Sequence, residues 1–209
     1  MKTYLKLLVC SAILFIFAGC ATLEVTAKKP LVASGEKQPV TLGVQASGDR
    51  LLEILGTSGD SVIKGADGKL FDRVTLLPKE SKFMQPGEMQ SIYKVDYILA
   101  VGISDISVDA NLNPYWFATL PLLFLNPFIK TFVPMVSFEP GVSLDFTLRD
   151  AASGKALMQK QVIESSSDHY SPTKPGPKVR NLVSMTINNA FVSIMQDSQK
   201  SIASARKGK

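Results

Sequence analysis

Hydrophobic and polar positions begin to alternate at Val40, where Val40, Leu42 and Val44 are separated by small or polar residues, the period of a half-buried strand. Ser47-Gly48-Asp49 then reads as a turn or helix start before an apolar stretch from Arg50 to Leu55. Asp67-Gly68 is a good turn dipeptide, and the pattern on either side predicts two short strands, Ser61 to Lys64 and Leu70 to Leu77. Pro86-Gly87-Glu88 opens a short helical segment, Met89 to Lys94. Asp96 to Val108 is the clearest strand. Its Tyr97-Ile98-Leu99-Ala100-Val101 centre is apolar on both faces, as a strand covered on each side must be.

Further on, Val142, Leu144, Phe146 and Leu148 alternate with Ser143, Asp145, Thr147 and Arg149, and a Ser153-Gly154 turn leads into Ala156 to Ile163. That predicts a hairpin with one apolar face. After Pro172, Pro175 and Pro177, apolar residues recur at Val179, Leu182, Val183, Thr186, Ile187, Ala190, Phe191, Ile194 and Met195, a helical stripe able to cover that face. Arg180, Ser184, Asn188 and Asp197 fall on its other side, and the small, basic stretch Ser201 to Lys209 is expected to fray. The elements sum to an α/β (α+β) fold: a single mixed β-sheet with a long C-terminal helix packed on it.

The amino terminus follows different rules. Lys2 and Lys6 precede an apolar run, Leu7 to Phe17, of about eleven residues, too short to span a bilayer, which takes roughly twenty. The ending Phe17-Ala18-Gly19-Cys20 resembles the lipobox of bacterial lipoproteins, with Phe17 where that family usually has an aliphatic residue. The resemblance implies a signal peptide over 1–19, lipid (palmitate) on Cys20 and attachment to a membrane. Ala21, where inner-membrane lipoproteins tend to carry Asp, favours the outer membrane. Several acyl chains on one residue make a lasting anchor, since each buried CH₂ contributes about 0.8 kcal/mol. With Cys10 removed along with the signal, Cys20 is the sole remaining cysteine, and no intrachain disulfide can form.

Residues 20–38 contain Lys28, Lys29, Pro30, Ser34, Gly35 and Lys37 with few large apolar groups, and are expected as a tether ahead of a single domain over 39–205, with a basic tail at 206–209. Of the net charge of +5, two charges, Lys2 and Lys6, lie in the signal, so the domain is only mildly basic. Aromatic residues do not interleave with basic ones, and nucleic acid is rejected as a partner.

Val95-Asp96-Tyr97-Ile98-Leu99-Ala100-Val101-Gly102, the hairpin at Asp150-Ala151-Ala152-Ser153-Gly154-Lys155 and the terminal helix together resemble the periplasmic lipoproteins with a TolB amino-terminal-like α/β domain, a group that includes CsgG-like and LpoB-like proteins. The likeness covers about half the chain. It implies a non-enzymatic role in binding other envelope components.

An apolar insertion, 112–138, stands apart. Tyr115, Trp116, Phe117, Leu120, Leu122, Leu123, Phe124, Leu125, Phe128, Ile129, Phe132 and Val133 crowd between Pro114, Pro121, Pro127 and Pro134. So many prolines make a spanning helix untenable. Either the side chains complete the core, or Trp116, Phe117, Leu122, Phe124, Leu125 and Phe128 form an interaction patch for a partner or the bilayer.

Candidate chemistry is sparse. The single histidine, His169, lies beside Asp168 in a polar stretch with Ser167 and Ser171, but adjacent residues seldom reach triad geometry and no Gly-x-Ser-x-Gly elbow is present. Gly65-Ala66-Asp67-Gly68-Lys69 lacks phosphate-loop spacing, and zinc-ligand and calcium-loop patterns are missing. The expectation is a non-enzyme without cofactor or metal other than the covalent lipid: a membrane-anchored binding or assembly accessory with an envelope protein partner. The alternative is a carrier of a small apolar or lipid ligand.

Overall fold

The computed structural model describes residues 29–33, 35–57, 59–112, 136–170 and 175–207. Strand β1 (Gln38–Ala46) is followed by helices α1 (Asp49–Thr57) and α2 (Asp60–Ala66), β2 (Phe71–Leu76), a 3-10 turn (Lys79–Phe83) and α3 (Pro86–Tyr93). Then come the long strands β3 (Tyr97–Leu112) and β4 (Val136–Asp150), β5 (Ala156–Ser165), the short β6 (Asp168–Tyr170) and α4 (Pro175–Lys207). The strands form one mixed sheet in the order β2-β1-β3-β4-β5, with β6 also paired to β4. β1 is parallel to both β2 and β3, and the remaining pairings are antiparallel.

This order explains the layers. From β1 the chain steps outward to β2 and then back across to β3, and right-handed crossovers in opposite directions place their helices on opposite faces. α1 and α2 accordingly share a core with α4, in which Leu51, Leu55, Val62 and Ile63 meet Leu42, Val44, Leu99, Phe146, Phe191 and Ile194. α3 and the 3-10 turn lie on the other face, where Leu77, Met89, Val95, Ile98 and Ala151 form a smaller core. Gly43 permits that approach, because a Cβ there would meet Leu77 at 3.0 Å and Val95 at 3.1 Å. Each large side chain such as Phe71, Phe146 or Phe191, all fully buried, contributes about 1.5–3 kcal/mol of transfer free energy.

The alternation expected in β4 is present: Val142, Leu144, Phe146 and Leu148 are buried beneath α4, while Asp145 and Arg149 are exposed on the opposite face. β3 is buried on both faces from Tyr97 to Leu99, as its apolar centre required. α3 begins with a reciprocal capping box between Gln85 and Glu88 and stops at Lys94, which is in the left-handed region at φ 56°.

Three expectations are corrected. Ser61 to Lys64 is part of helix α2, so Asp67-Gly68 closes a helix and does not turn a hairpin; Val62, Ile63 and Ala66 share a helical face, and the parallel pairing of β1 with β2 demands a crossover there. The carboxy-terminal stretch from Ser201 continues as helix to Lys207, held by Ile202, which is fully buried. Asn188, expected on the solvent side of α4, is buried, as is Asn189.

Residues 29–33 and 35–37, within the stretch expected as tether, run along α4 as a strap. The Lys29 amide donates to Asn189 Oδ1 (2.9 Å), Gln196 Nε2 donates to the Val32 carbonyl (2.9 Å), and Gln199 Nε2 donates to the Glu36 carbonyl (3.1 Å). Leu31 packs against the main core.

Candidate functional site

In the outer half of the β3–β4 ribbon the β3 side is exposed, whereas β4 buries Ser137 and Pro140 and exposes Glu139. Beyond the bulge between Ile103 and Asp105, β3 remains paired residue for residue with β4 as far as Leu112 opposite Val136. Among the described residues no helix covers this stretch of β3, which is exposed at every position from Ser107 to Leu112. Leu112 is 56% exposed and Val108 43%. The apolar insertion therefore leaves and re-enters the fold at two paired positions on the far end of a ribbon, away from both cores. Cys20 and the patch residues Trp116, Phe117, Leu122, Phe124, Leu125 and Phe128 lie outside the described residues. His169 is placed in β6, with its backbone opposite Ser137.

A second feature is the start of the strap. Lys29 Nζ donates to Ser193 Oγ at 2.7 Å and lies 3.7 Å from a Glu164 carboxylate oxygen. The strap thus joins α4 to the outer end of β5. Beside it is a cavity of about 230 Å³ lined by Lys29, Leu31, Ser61, Val62, Asn188 and Val192, smaller than the roughly 300–1,000 Å³ of ordinary ligand pockets. The sequence reading missed Lys29, Glu164, Asn189 and Ser193. The available signal was Asn188-Asn189 itself, two polar residues inside the apolar stretch Thr186 to Met195.

At the opposite end of the sheet a polar groove of about 370 Å³ is lined by Gln90, Asp96, Tyr97, Asp150 and Arg206. Tyr97 is 8% exposed. Burial raises its phenol above the usual 10.0, Asp150 adds to the rise, Arg206 opposes it and Asp96 adds again. The two carboxylates brace backbone: Asp96 Oδ2 accepts from the Thr41 amide (2.7 Å), and Asp150 Oδ1 accepts from the amides of Ala152 (3.0 Å) and Ser153 (2.9 Å). Their geometry is that of a turn support, with the phenol held protonated at neutral pH. Among the described residues no three His, Cys, Asp or Glu side chains converge as a metal site, and no helix is long and apolar enough to cross a membrane.

No family model matches the sequence, and no curated protein matches it. Among solved structures, the chain is similar to lipoprotein GNA1162 from Neisseria meningitidis (13% identity, 72% of this chain and 96% of that one, TM-score 0.36). It is also similar to protein XCC0632 from Xanthomonas campestris (10% identity, 87% and 93%, TM-score 0.44) and to a minor lipoprotein from Acinetobacter baumannii (10% identity, 79% and 94%, TM-score 0.39).

Proposed function

We propose that this chain is a lipid-anchored, non-enzymatic binding protein of the bacterial cell envelope. It is exported on residues 1–19, anchored through Cys20 at the outer membrane with the domain facing the periplasm, and serves as an accessory in assembly or maintenance. The observation that carries the reading is the placement of Leu112 and Val136, which pair at the outer end of the ribbon and belong to neither core, and which flank a sequence stretch with twelve aromatic and aliphatic residues. A patch formed by Trp116, Phe117, Leu122, Phe124, Leu125 and Phe128 then binds a further envelope component, since monomers seldom leave large apolar patches uncovered.

The test is crosslinking in envelopes that express the lipidated protein, beside a Phe124→Glu/Leu125→Glu variant whose circular dichroism and melting match the wild type. Crosslinks to a defined envelope component that disappear in the folded variant are expected. An unchanged set of crosslinks would refute the docking role, and a variant that fails to fold would return the segment to the core.

A further inference from the structure

We infer that the polar groove around Tyr97 is a binding site for a small zwitterion, a molecule bearing both an ammonium and a carboxylate, as free amino acids and short peptides do. The inference goes beyond the envelope reading above and rests neither on the anchor nor on the ribbon.

The topology gathers this groove from distant chain positions. β1 and β3 are parallel and begin at this end of the sheet, β4 is antiparallel to β3 and finishes there, and α4 closes on the start of β1 where Arg206 Nη1 donates to the Pro39 carbonyl. Asp96 and Tyr97 at the start of β3, Asp150 at the end of β4, Gln90 of α3 and Arg206 of the last turn of α4 therefore line one space of about 370 Å³. That volume lies within the range of ordinary ligand pockets.

Tyr97 is the observation that points to a ligand. Its ring packs in the main core, and the residue is 8% exposed. Besides burial, the charges acting on its hydroxyl are those of Asp150, Arg206 and Asp96, all groove residues, so the polar end of the ring is the end turned into the groove. That hydroxyl makes no hydrogen bond with a described residue. Buried polar groups are almost always paired, and a phenol, donor and acceptor at once, here faces the groove for its partner.

The charges around it specify what that partner carries. Asp96 Oδ2 is engaged by the Thr41 amide, whereas Oδ1 accepts from no described residue. Arg206 makes no ion pair with a described residue and uses one donor on Pro39. A guanidinium and a carboxylate thus face the same groove without neutralising each other, each fixed by a main-chain bond. A plain anion would meet Asp96 and Asp150 as well as Arg206, and a plain cation would meet Arg206. A zwitterion matches both signs. Its carboxylate accepts from Arg206 and from the Tyr97 hydroxyl, which is protonated at neutral pH, and its ammonium donates to Asp96 Oδ1 in the negative field of Asp150. These groups are held by strand ends and backbone beforehand, so binding requires little further ordering.

The test is equilibrium dialysis of the full protein, purified in detergent micelles, at neutral pH. The probes are a mixture of the common amino acids, alanyl-alanine, ethylamine and acetate, with Tyr97→Phe and Arg206→Gln variants whose melting matches the wild type. The expected result is binding of a zwitterionic probe with Kd of about 1 mM or tighter, and of ethylamine and acetate at least about tenfold more weakly. Each variant should weaken the zwitterion by about tenfold, the effect of losing one hydrogen bond to a charged group. Retention of amino acids alone assigns the site to free amino acids, and retention of the dipeptide alone assigns it to peptides; both support the inference. Ethylamine or acetate binding as well as the zwitterions, undiminished binding in either folded variant, or no binding of any probe overturns it. Should Tyr97→Phe fail to fold, Arg206→Gln, at an exposed position, decides the question.

Discussion

At the scale of single residues, Tyr97 shows how burial turns an unremarkable phenol into a pH-dependent support. Its ring lies in the main core, and its proton is held more tightly than in the unfolded chain, first by burial and then by the carboxylates of Asp150 and Asp96 against the opposing charge of Arg206. A pKa raised on folding means that the unfolded chain loses the proton first. The contribution is fully present below the ordinary value of 10.0 and is lost as pH climbs from there through the raised folded value. Wild-type urea midpoints should hold steady up to about pH 9 and fall towards about pH 11. Tyr97→Phe has no proton to lose, so its decline over the same window should be smaller. Equal declines in the two proteins would show that the phenol does not titrate differently on folding. Asp96 adjoins this group in the chain, but nothing in the sequence announced Asp150, the stronger of the two acidic influences, because only the antiparallel register of β3 and β4 sets it opposite Tyr97.

Among elements, the strap and the strands differ in how far they could be read in advance. β1, β3, β4, β5 and α4 were legible because each carries its own period: alternation in Val142 to Arg149, a stripe from Leu182 to Met195, and a doubly apolar run at Tyr97. Ser61 to Lys64 was misread because a four-residue window distinguishes poorly between a short strand and one helical turn, and what decided it was the crossover that the β1–β2 pairing demands. The strap escaped for a different reason. Its stabilisation comes from main-chain groups paired with side chains 160 or more positions away, and such pairing leaves no local pattern. Asn189 is its inner clamp, 3% exposed and accepting from the Lys29 amide. Asn189→Ala should cost about 1 kcal/mol. It should also raise hydrogen exchange at residues 29–33 and 35–37 by roughly fivefold more than at the centre of β3, because the strap can open without the sheet. Uniform acceleration across the domain would mean that strap and sheet open as one unit.

For the molecule as a whole, α4 is the element that turns a sheet with two unequal faces into a stable domain. Its 33 residues span about 50 Å. It packs against β1, β4, β5 and α2, thereby joining the crossover half of the sheet to the hairpin half. The last turns matter to this role even though Ser201 to Lys209 is mostly small and basic in sequence, a composition that suggested fraying. Ile202 is fully buried, and Arg206 donates to the Pro39 carbonyl at 3.3 Å, closing the strap at the edge of β1. A chain ending after Lys200 loses both. Removal of a buried isoleucine costs about 2–5 kcal/mol. In a domain of this size each kcal/mol shifts Tm by roughly 2–4 °C, so Tm should fall by on the order of 10 °C. A chain ending after Lys207 should melt as the full-length protein does, and Ile202→Ala alone should reproduce most of the loss. If the shorter chain and the full chain melt together, the terminal turns contribute no packing, the strap is held by Asn189, Gln196 and Gln199 alone, and α4 acts as a lid on β4 and β5 rather than as the member that joins the two halves of the sheet.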